Sequence, residues 1–351
     1  MNKGVLTALF LMAVLWAGAQ PLPYYQDAYN ESDQDLREAL HDIIRVHSKL
    51  PYSSSSTDTW DVLKASDVDT ANASNVLLIY AGVSVNGPQE YNNGNGWTRE
   101  HVWPKSLGNF NTNAGVGTDC HNLKPADDAL NSLRSNLEYD DLGTGGSAVN
   151  YNGSPTGNRY NGSAGVFEPR DAVKGDVARI ILYMDLRYEG DPGEPDLVVR
   201  EQLNSGGTTF AVLSTLLAWH WADPVDSFEM HRNDVIHQMQ GNRNPFIDHP
   251  ELVHYLYGDS IAVAWNPFMA VSEVSDEAFK LGANPSNSFL QIEAPTLGHY
   301  QLWTTGMHLV QEGVLLKGKN AISTATAPSG QYFLLFGDPK NFQRENIIIA
   351  H

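Results

Sequence analysis

The chain has 351 residues, is 42% hydrophobic, and carries 41 Asp and Glu against 22 Lys and Arg, a formal net charge of −19. That length accommodates one large domain and a small one, and the hydrophobic share is ordinary for a globular chain. The acidity argues against tight, sequence-specific nucleic-acid binding, which goes with basic surfaces, and a single cysteine, Cys120, excludes an intrachain disulfide.

The chain opens with Lys3, an apolar stretch over 5–16, and then Ala17-Gly18-Ala19-Gln20. This is the layout of a secretory signal peptide cut after Ala19. The stretch is too short to span a membrane comfortably, and no later segment is apolar enough to be a membrane helix. Residues 31–50 have helical spacing, with Leu36, Leu40, Ile43, Ile44 and Val46 on or near one face. His41 and His47 read as surface residues of that helix. Residues 76–80 read as a short buried strand, and 86–96 as a turn-rich lead-in.

Within Trp-Thr-Arg-Glu-His-Val-Trp-Pro (97–104), residues 98–103 read as a short strand that Pro104 ends, because proline cannot donate to a ladder. Residues 109–117 are loop by composition, and 118–123 read as a second strand. Pro125 and Asp127 are helix-start residues, and 127–137 has helical spacing. Leu130, Leu133 and Leu137 make its apolar stripe, while Asn131 and Arg134, three apart, share another face. One small hairpin-plus-helix unit thus carries Glu100, His101, His121, Asn131 and Arg134.

Phosphodiester hydrolysis needs such a set. A base must deprotonate water, a hard cation must neutralise charge on the phosphate and leaving oxygen, and a cationic side chain can hold a phosphate. Imidazole titrates near neutrality, so His101 suits the base. Glu100 and Asn131 offer oxygens, which suit Mg²⁺ or Ca²⁺ better than zinc. Adjacent strand residues point to opposite faces, so Glu100 and His101 serve one site only if the strand bulges or ends there.

Further on, 140–165 is rich in Gly, Asn and Ser and reads as a long loop bordering a groove. Residues 171–188 read as a helix closed by Asp185 and Arg187, 208–219 as an apolar helix, and 228–240 as a helix carrying Glu229, His231, Arg232 and His237. The turn Asn242-Arg243-Asn244 follows, and a short terminal helix opens near Asp248. After about residue 271 the style changes to short alternating strands at 289–292, 300–303, 309–315, 320–323 and 331–336, as in a small β-sandwich. The expected fold class is α+β: a largely helical domain over 20–271, then a small all-β sandwich over 272–351.

Arg-Glu-His-Val-Trp-Pro, Asp-Cys-His-Asn-Leu-Lys-Pro-Ala and Ala-Leu-Asn-Ser-Leu-Arg-Ser-Asn resemble the bacterial endonuclease I family. The similarity continues in Trp-His-Trp-Ala-Asp-Pro-Val-Asp (219–226) and Gln-Gly-Asn-Arg-Asn-Pro-Phe-Ile-Asp-His-Pro-Glu (240–251). The resemblance implies an exported nuclease built on a ββα-metal finger, cutting DNA and RNA without sequence preference. It implies His101 as general base and Glu100 and Asn131 as holders of the metal, Mg²⁺ foremost, with Ca²⁺ or Mn²⁺ as alternatives. Two departures stand out. Gly117 occupies a position that is acidic in some members, and 106–118 lack the arginine that steadies phosphate in some. Arg134, Arg232 or Arg243 would serve instead, with His121, Arg99 and Arg187 as further supporting candidates.

Asn-Pro-Ser-Asn-Ser, Gly-Lys-Asn-Ala-Ile, Pro-Ser-Gly-Gln-Tyr-Phe and a terminal Ile-Ile-Ile-Ala-His resemble the C-terminal sorting domains of type IX secretion substrates. That resemblance implies export through the periplasm to the cell surface or medium, with the secretion machinery as partner. Two other readings compete for the function. A zinc hydrolase would draw on the twelve histidines, but His-Glu-x-x-His and clustered cysteines are missing. A non-catalytic nucleic-acid binder with a decayed site is motivated by Gly117 and the missing loop arginine.

Overall fold

The structure, a computed structural model, describes residues 24–91, 94–203, 206–267, 279–282, 288–295, 298–305, 308–338 and 341–351. The expected signal peptide, the expected boundary at 271/272 and Asn284-Pro285-Ser286-Asn287 lie outside these residues. The chain divides into two compact units, one holding His41–Pro250 and the other Tyr25–Leu40 with Glu251–His351.

The first unit is mixed rather than largely helical, because small sheets alternate with its helices. Thr59–Ser66 starts at Asp58, whose carboxylate accepts from the backbone N–H of Trp60 and Asp61 while Asp61 returns a bond to the cap. Lys174–Arg187 is buried almost all round. Its neighbour Ser227–Gln240 is capped the same way by Asp226 and Glu229 and stopped by Gly241 at φ 103°. Arg179 and Glu229 join these two helices by bonds of 2.7 and 2.6 Å.

The central hairpin pairs Trp97–His101 with Leu123–Asp127, antiparallel and in unbroken register from Trp97↔Asp127 to His101↔Leu123. The second strand therefore begins five residues later than the apolar pattern indicates. Residues 118–122 turn instead, because Asp119 bonds the backbone N–H of His121 and Asn122, and the Asn122 side chain bonds Trp103. Pro125 lies in the strand rather than the helix. The helix is Asp128–Arg134, capped by the Asp127 carboxylate on the N–H of Ala129 and Leu130. Cys120 packs with Val62 and Ile236 in a small core.

The stretch 140–165 is not a long loop. It folds into a hairpin, Ser147–Tyr151 on Ser154–Asn161, within a four-stranded sheet that Glu138–Tyr139 and Val166–Glu168 complete. The apolar run at 208–219 starts as a strand, Thr209–Val212, paired in parallel with Val198–Arg200, before the helix Leu213–Ala222. His41 is not a surface residue. It is buried, with Nδ1 2.9 Å from the Leu186 carbonyl and Nε2 3.3 Å from Asp191.

In the second unit, Asn30 and Trp265 exchange backbone bonds with one another's segments. The C-terminal region is two antiparallel sheets. One has Phe289–Ala294 between Lys280–Leu281 and Gly318–Ser323; the other runs Leu309–Leu315, Gly298–Thr304, Gly330–Asp338, Asn341–Ile349. Alternate residues such as Leu290, Ile292, Leu302, Leu334 and Ile347 form one shared core, as period-two patterning requires. Among the described residues no helix is long and apolar enough to cross a membrane.

Candidate active site

Glu100 and His101 are the last two residues of their strand. The ladder carries no bulge, so their side chains leave opposite faces. His101 shares its face with Arg99, and both pack on Tyr52: the imidazole stacks on it at 5.8 Å and the guanidinium lies 3.4 Å from its ring centre. Glu100 points the other way, where Tyr80 donates to its Oε1 at 2.6 Å and Arg134 Nη1 lies 3.1 Å from the same oxygen. Tyr139 stands 2.6 Å behind the Tyr80 hydroxyl, and its ring supports the Arg134 guanidinium at 4.7 Å. Oε2 of Glu100 has no hydrogen bond among the described residues. Burial raises the Glu100 pKa above its ordinary value, and Arg134 and Tyr80 oppose the rise.

Asn131 is half-buried on the helix Asp128–Arg134, its Nδ2 3.5 Å from the carbonyl of Arg99. That long contact sets the amide beside the backbone preceding Glu100 and leaves Oδ1 unused. Arg134, one turn on, is fully buried. It donates to the carbonyls of His101, at 3.1 Å, and of Val102. It pins the helix to the end of the strand and has no face left for a phosphate.

His101 is 6% exposed, with Nε2 2.9 Å from the carbonyl of Gly117. A carbonyl only accepts, so Nε2 carries the proton, and in the neutral ring Nδ1 holds the lone pair. Burial lowers the pKa to about 3, against the pull of the Gly117 carbonyl and helped by Lys105, Arg99 and Arg134. The ring is therefore neutral near pH 7. Gly117 acts through its backbone, so the acidic side chain missing there removes nothing from this contact. Its lack of a side chain is itself required, since a Cβ would lie 1.6 Å from the carbonyl oxygen of Asn111.

Of the remaining candidates only Arg99 lies beside the pair, sharing Tyr52 with His101. His121 is buried against Tyr183, with Nε2 3.2 Å from the carbonyl of Asn242, and burial lowers its pKa to about 4. Beside it Asp119 accepts from Tyr183, Tyr188 and Gln240 at 2.8 to 2.9 Å. Arg99 is spent on Tyr52, Ser53 and Thr59, and Arg187 on Glu194. Arg232 pairs with Asp67 and the carbonyl of Cys120, and Arg243 with Asp234 and Asp248. All four are buried on acceptors of their own chain.

Sequence reasoning passed over Tyr80, Tyr139, Tyr52, Phe110 and Lys105, which surround the pair at the strand end. Lys105 is half-buried in the short helix after Pro104 and close enough for its charge to depress the His101 pKa.

Residues 32–251 match the Endonuclease I family. An extracellular ribonuclease of Bacillus amyloliquefaciens is 47% identical over 241 residues, 68% of this chain and 79% of its own. An extracellular ribonuclease of Bacillus subtilis (strain 168) is 45% identical over 230 residues, 65% of this chain and 76% of its own. An extracellular deoxyribonuclease of Aeromonas hydrophila is 30% identical over 140 residues, 37% of this chain and 48% of its own.

Proposed function

The chain belongs to the endonuclease I family and is a nuclease hydrolase, and from that premise we propose a secreted, metal-dependent, sequence-nonspecific endonuclease that cuts RNA and DNA to 5′-phosphate and 3′-hydroxyl ends. The observation that carries the reading is the strand end itself. The last two strand residues carry a neutral imidazole with a fixed tautomer on one face and a carboxylate with one free oxygen on the other, and the Asn131 amide contacts the backbone just before that carboxylate. The relatives named as ribonucleases, matched over most of their length, weight the substrate toward RNA.

The donor set fits a hard cation. Glu100 Oε2 and Asn131 Oδ1 are two oxygens, and Mg²⁺ habitually takes one or two protein ligands and keeps several waters. Ca²⁺ and Mn²⁺ are the alternatives. Bound there, such an ion would offset charge on the phosphate and the leaving oxygen. Tyr80 and Arg134 hold the carboxylate still, so it need not reorganise when the ion arrives. Nδ1 of His101 takes a proton from the attacking water, and the Nε2–H bond to Gly117 keeps the ring in that tautomer. Lys105 is the cation we assign to the phosphate, since the arginine candidates are committed elsewhere.

The test is cleavage of plasmid and single-stranded RNA by protein freed of metal with EDTA, before and after Mg²⁺, Ca²⁺ or Mn²⁺ is restored. Cleavage that returns with metal supports the reading, and its absence with every cation ends it. The burial of His101 favours one competitor, a non-catalytic binder with a decayed site; such a protein would shift nucleic acid in a gel without shortening it. The C-terminal sandwich is read as a sorting domain for the type IX secretion machinery, and the first 19 residues as the signal that reaches the periplasm.

A further inference from the structure

Between the two hairpin strands the chain makes an excursion whose outer part, with Lys49 and Gly193–Pro195, lines a cavity of about 360 Å³. Asn109, Asn111 and Asn113 are exposed on its wall, and Phe110 is half-buried between them. The Phe110 ring reaches the candidate base, its centre 6.0 Å from that of His101 at 52°. The same ring thus borders both the reacting group and the cavity.

This wall is built rather than slack. Asn109 is left-handed at φ 52°, and the N–H of Phe110 donates to Lys105 at 3.1 Å. Gly108 lies under the Phe110 ring, where a Cβ would come within 2.2 Å of it. Asn111 closes a turn by accepting from the N–H of Asn113 at 2.7 Å. The side-chain amides of Asn109 and Asn113 have no hydrogen bond among the described residues, so each offers a donor and an acceptor to the cavity.

We propose that this cavity is a nucleobase subsite of the enzyme. Phe110 is the platform on which the base beside the scissile phosphate stacks. The amides of Asn109 and Asn113 meet its hydrogen-bonding edge, while Lys49 on the same wall is paired with Glu194 at 2.9 Å. The inference rests on the nuclease reading of His101 and sharpens its substrate class. A base can enter only when it is out of a duplex, so single-stranded nucleic acid is preferred, as the stacking modules of RNA-binding proteins prefer it. Stacking accepts any base and favours those with larger faces, which gives a modest purine preference.

The experiment is saturation-transfer NMR on the full chain in EDTA, with 5′-AMP, 5′-GMP, 5′-CMP and 5′-UMP as probes, beside RNA cleavage kinetics. Base protons should take up more saturation than ribose protons. Phe110→Leu and Asn113→Ala should each weaken binding and raise the KM for RNA by about tenfold, within the range for one stacked base. Phe110→Tyr should hold both near wild type. No saturation from any mononucleotide at millimolar concentration overturns the subsite, as does an unchanged KM in Phe110→Leu. A wild-type protein that binds mononucleotides and cleaves nothing would overturn the nuclease reading and leave the subsite standing.

Discussion

The hydroxyl of Tyr80 donates to Glu100 Oε1 over 2.6 Å, with both side chains buried and Tyr139 a further 2.6 Å behind. Bonds to a buried carboxylate are worth more than average, because the alternative is an ion short of a donor. Tyr80→Phe keeps the ring, which packs edge-on against Phe167 at 5.0 Å, and removes only the donor. Urea unfolding should show a loss of about 1–3 kcal/mol. Mg²⁺ titration should show weaker binding, more so below pH 6, since an underbonded carboxylate protonates more readily. Unchanged metal affinity would mean that Tyr80 serves the core alone.

Gly117→Ala brings a Cβ to 1.6 Å from the carbonyl oxygen of Asn111. Overpacking of this kind costs about 1–3 kcal/mol. The loop must shift to relieve it, and the carbonyl that orients His101 shifts too. We expect kcat to fall by about tenfold or more, with KM little changed, as befits a misplaced base. A variant that is merely less stable, with normal kcat below its melting temperature, would separate the carbonyl from catalysis.

His101→Ala should retain the fold and lower kcat by about 10²- to 10⁴-fold, the usual contribution of a general base. The acid limb of the wild-type rate profile should lie well below pH 6.5, because the base form of His101 persists toward about 3. The same depression affects stability. His101 and His121 are neutral in the folded protein to about 3 and about 4, while the unfolded chain protonates them near 6.5. Their contribution is complete above about 6.5 and drains away as pH falls below it, at up to about 1.4 kcal/mol per pH unit for each ring. Asp119 is held at about 2, where two neighbouring imidazoles and the bonds from Gln240 and Tyr183 outweigh its burial, and so adds its loss only below about 4. Urea melts at pH 7, 6 and 5 check the slope, and His121→Asn should flatten part of it.

Lys105→Gln removes a half-buried cation beside His101 while leaving the short helix intact. KM for RNA should rise, and the salt dependence of cleavage should weaken, as expected when one phosphate contact is lost. Cleavage measured between 50 and 200 mM salt reads the change. An unaltered salt slope would move the phosphate contact to another side chain.

The hairpin strand Trp97–His101 and the helices Lys174–Arg187 and Ser227–Gln240 were legible because periodicity and caps are local signals. Residue chemistry and spacing single out Glu100, His101 and Asn131 as candidates, and the structure sets Asn131 against the backbone before Glu100 while His101 leaves the opposite face. The second strand was misplaced because Asp119 and Asn122 turn the chain through side-chain bonds, one of them to Trp103, nineteen residues away. The hairpin of 147–161 hid in a Gly- and Asn-rich composition, since its strands have few apolar residues to alternate. Tyr80 could not be tied to Glu100 from sequence at all. Its bond spans twenty residues and exists only because the hairpin packs on the segment before it. Likewise nothing local reveals that Arg134 turns inward, where its charge is absorbed by three carbonyls and Glu100.

An odd thiol is a liability once a chain leaves the reducing cytoplasm, where it invites cross-linking and over-oxidation. Cys120 escapes that fate by position. It has no exposed surface, and burial together with Asp119 pushes its thiol far above the ordinary range, so the reactive anion is missing at neutral pH. The folded protein should shrug off air, diamide and maleimide alike, and a maleimide adduct would report unfolding rather than surface chemistry.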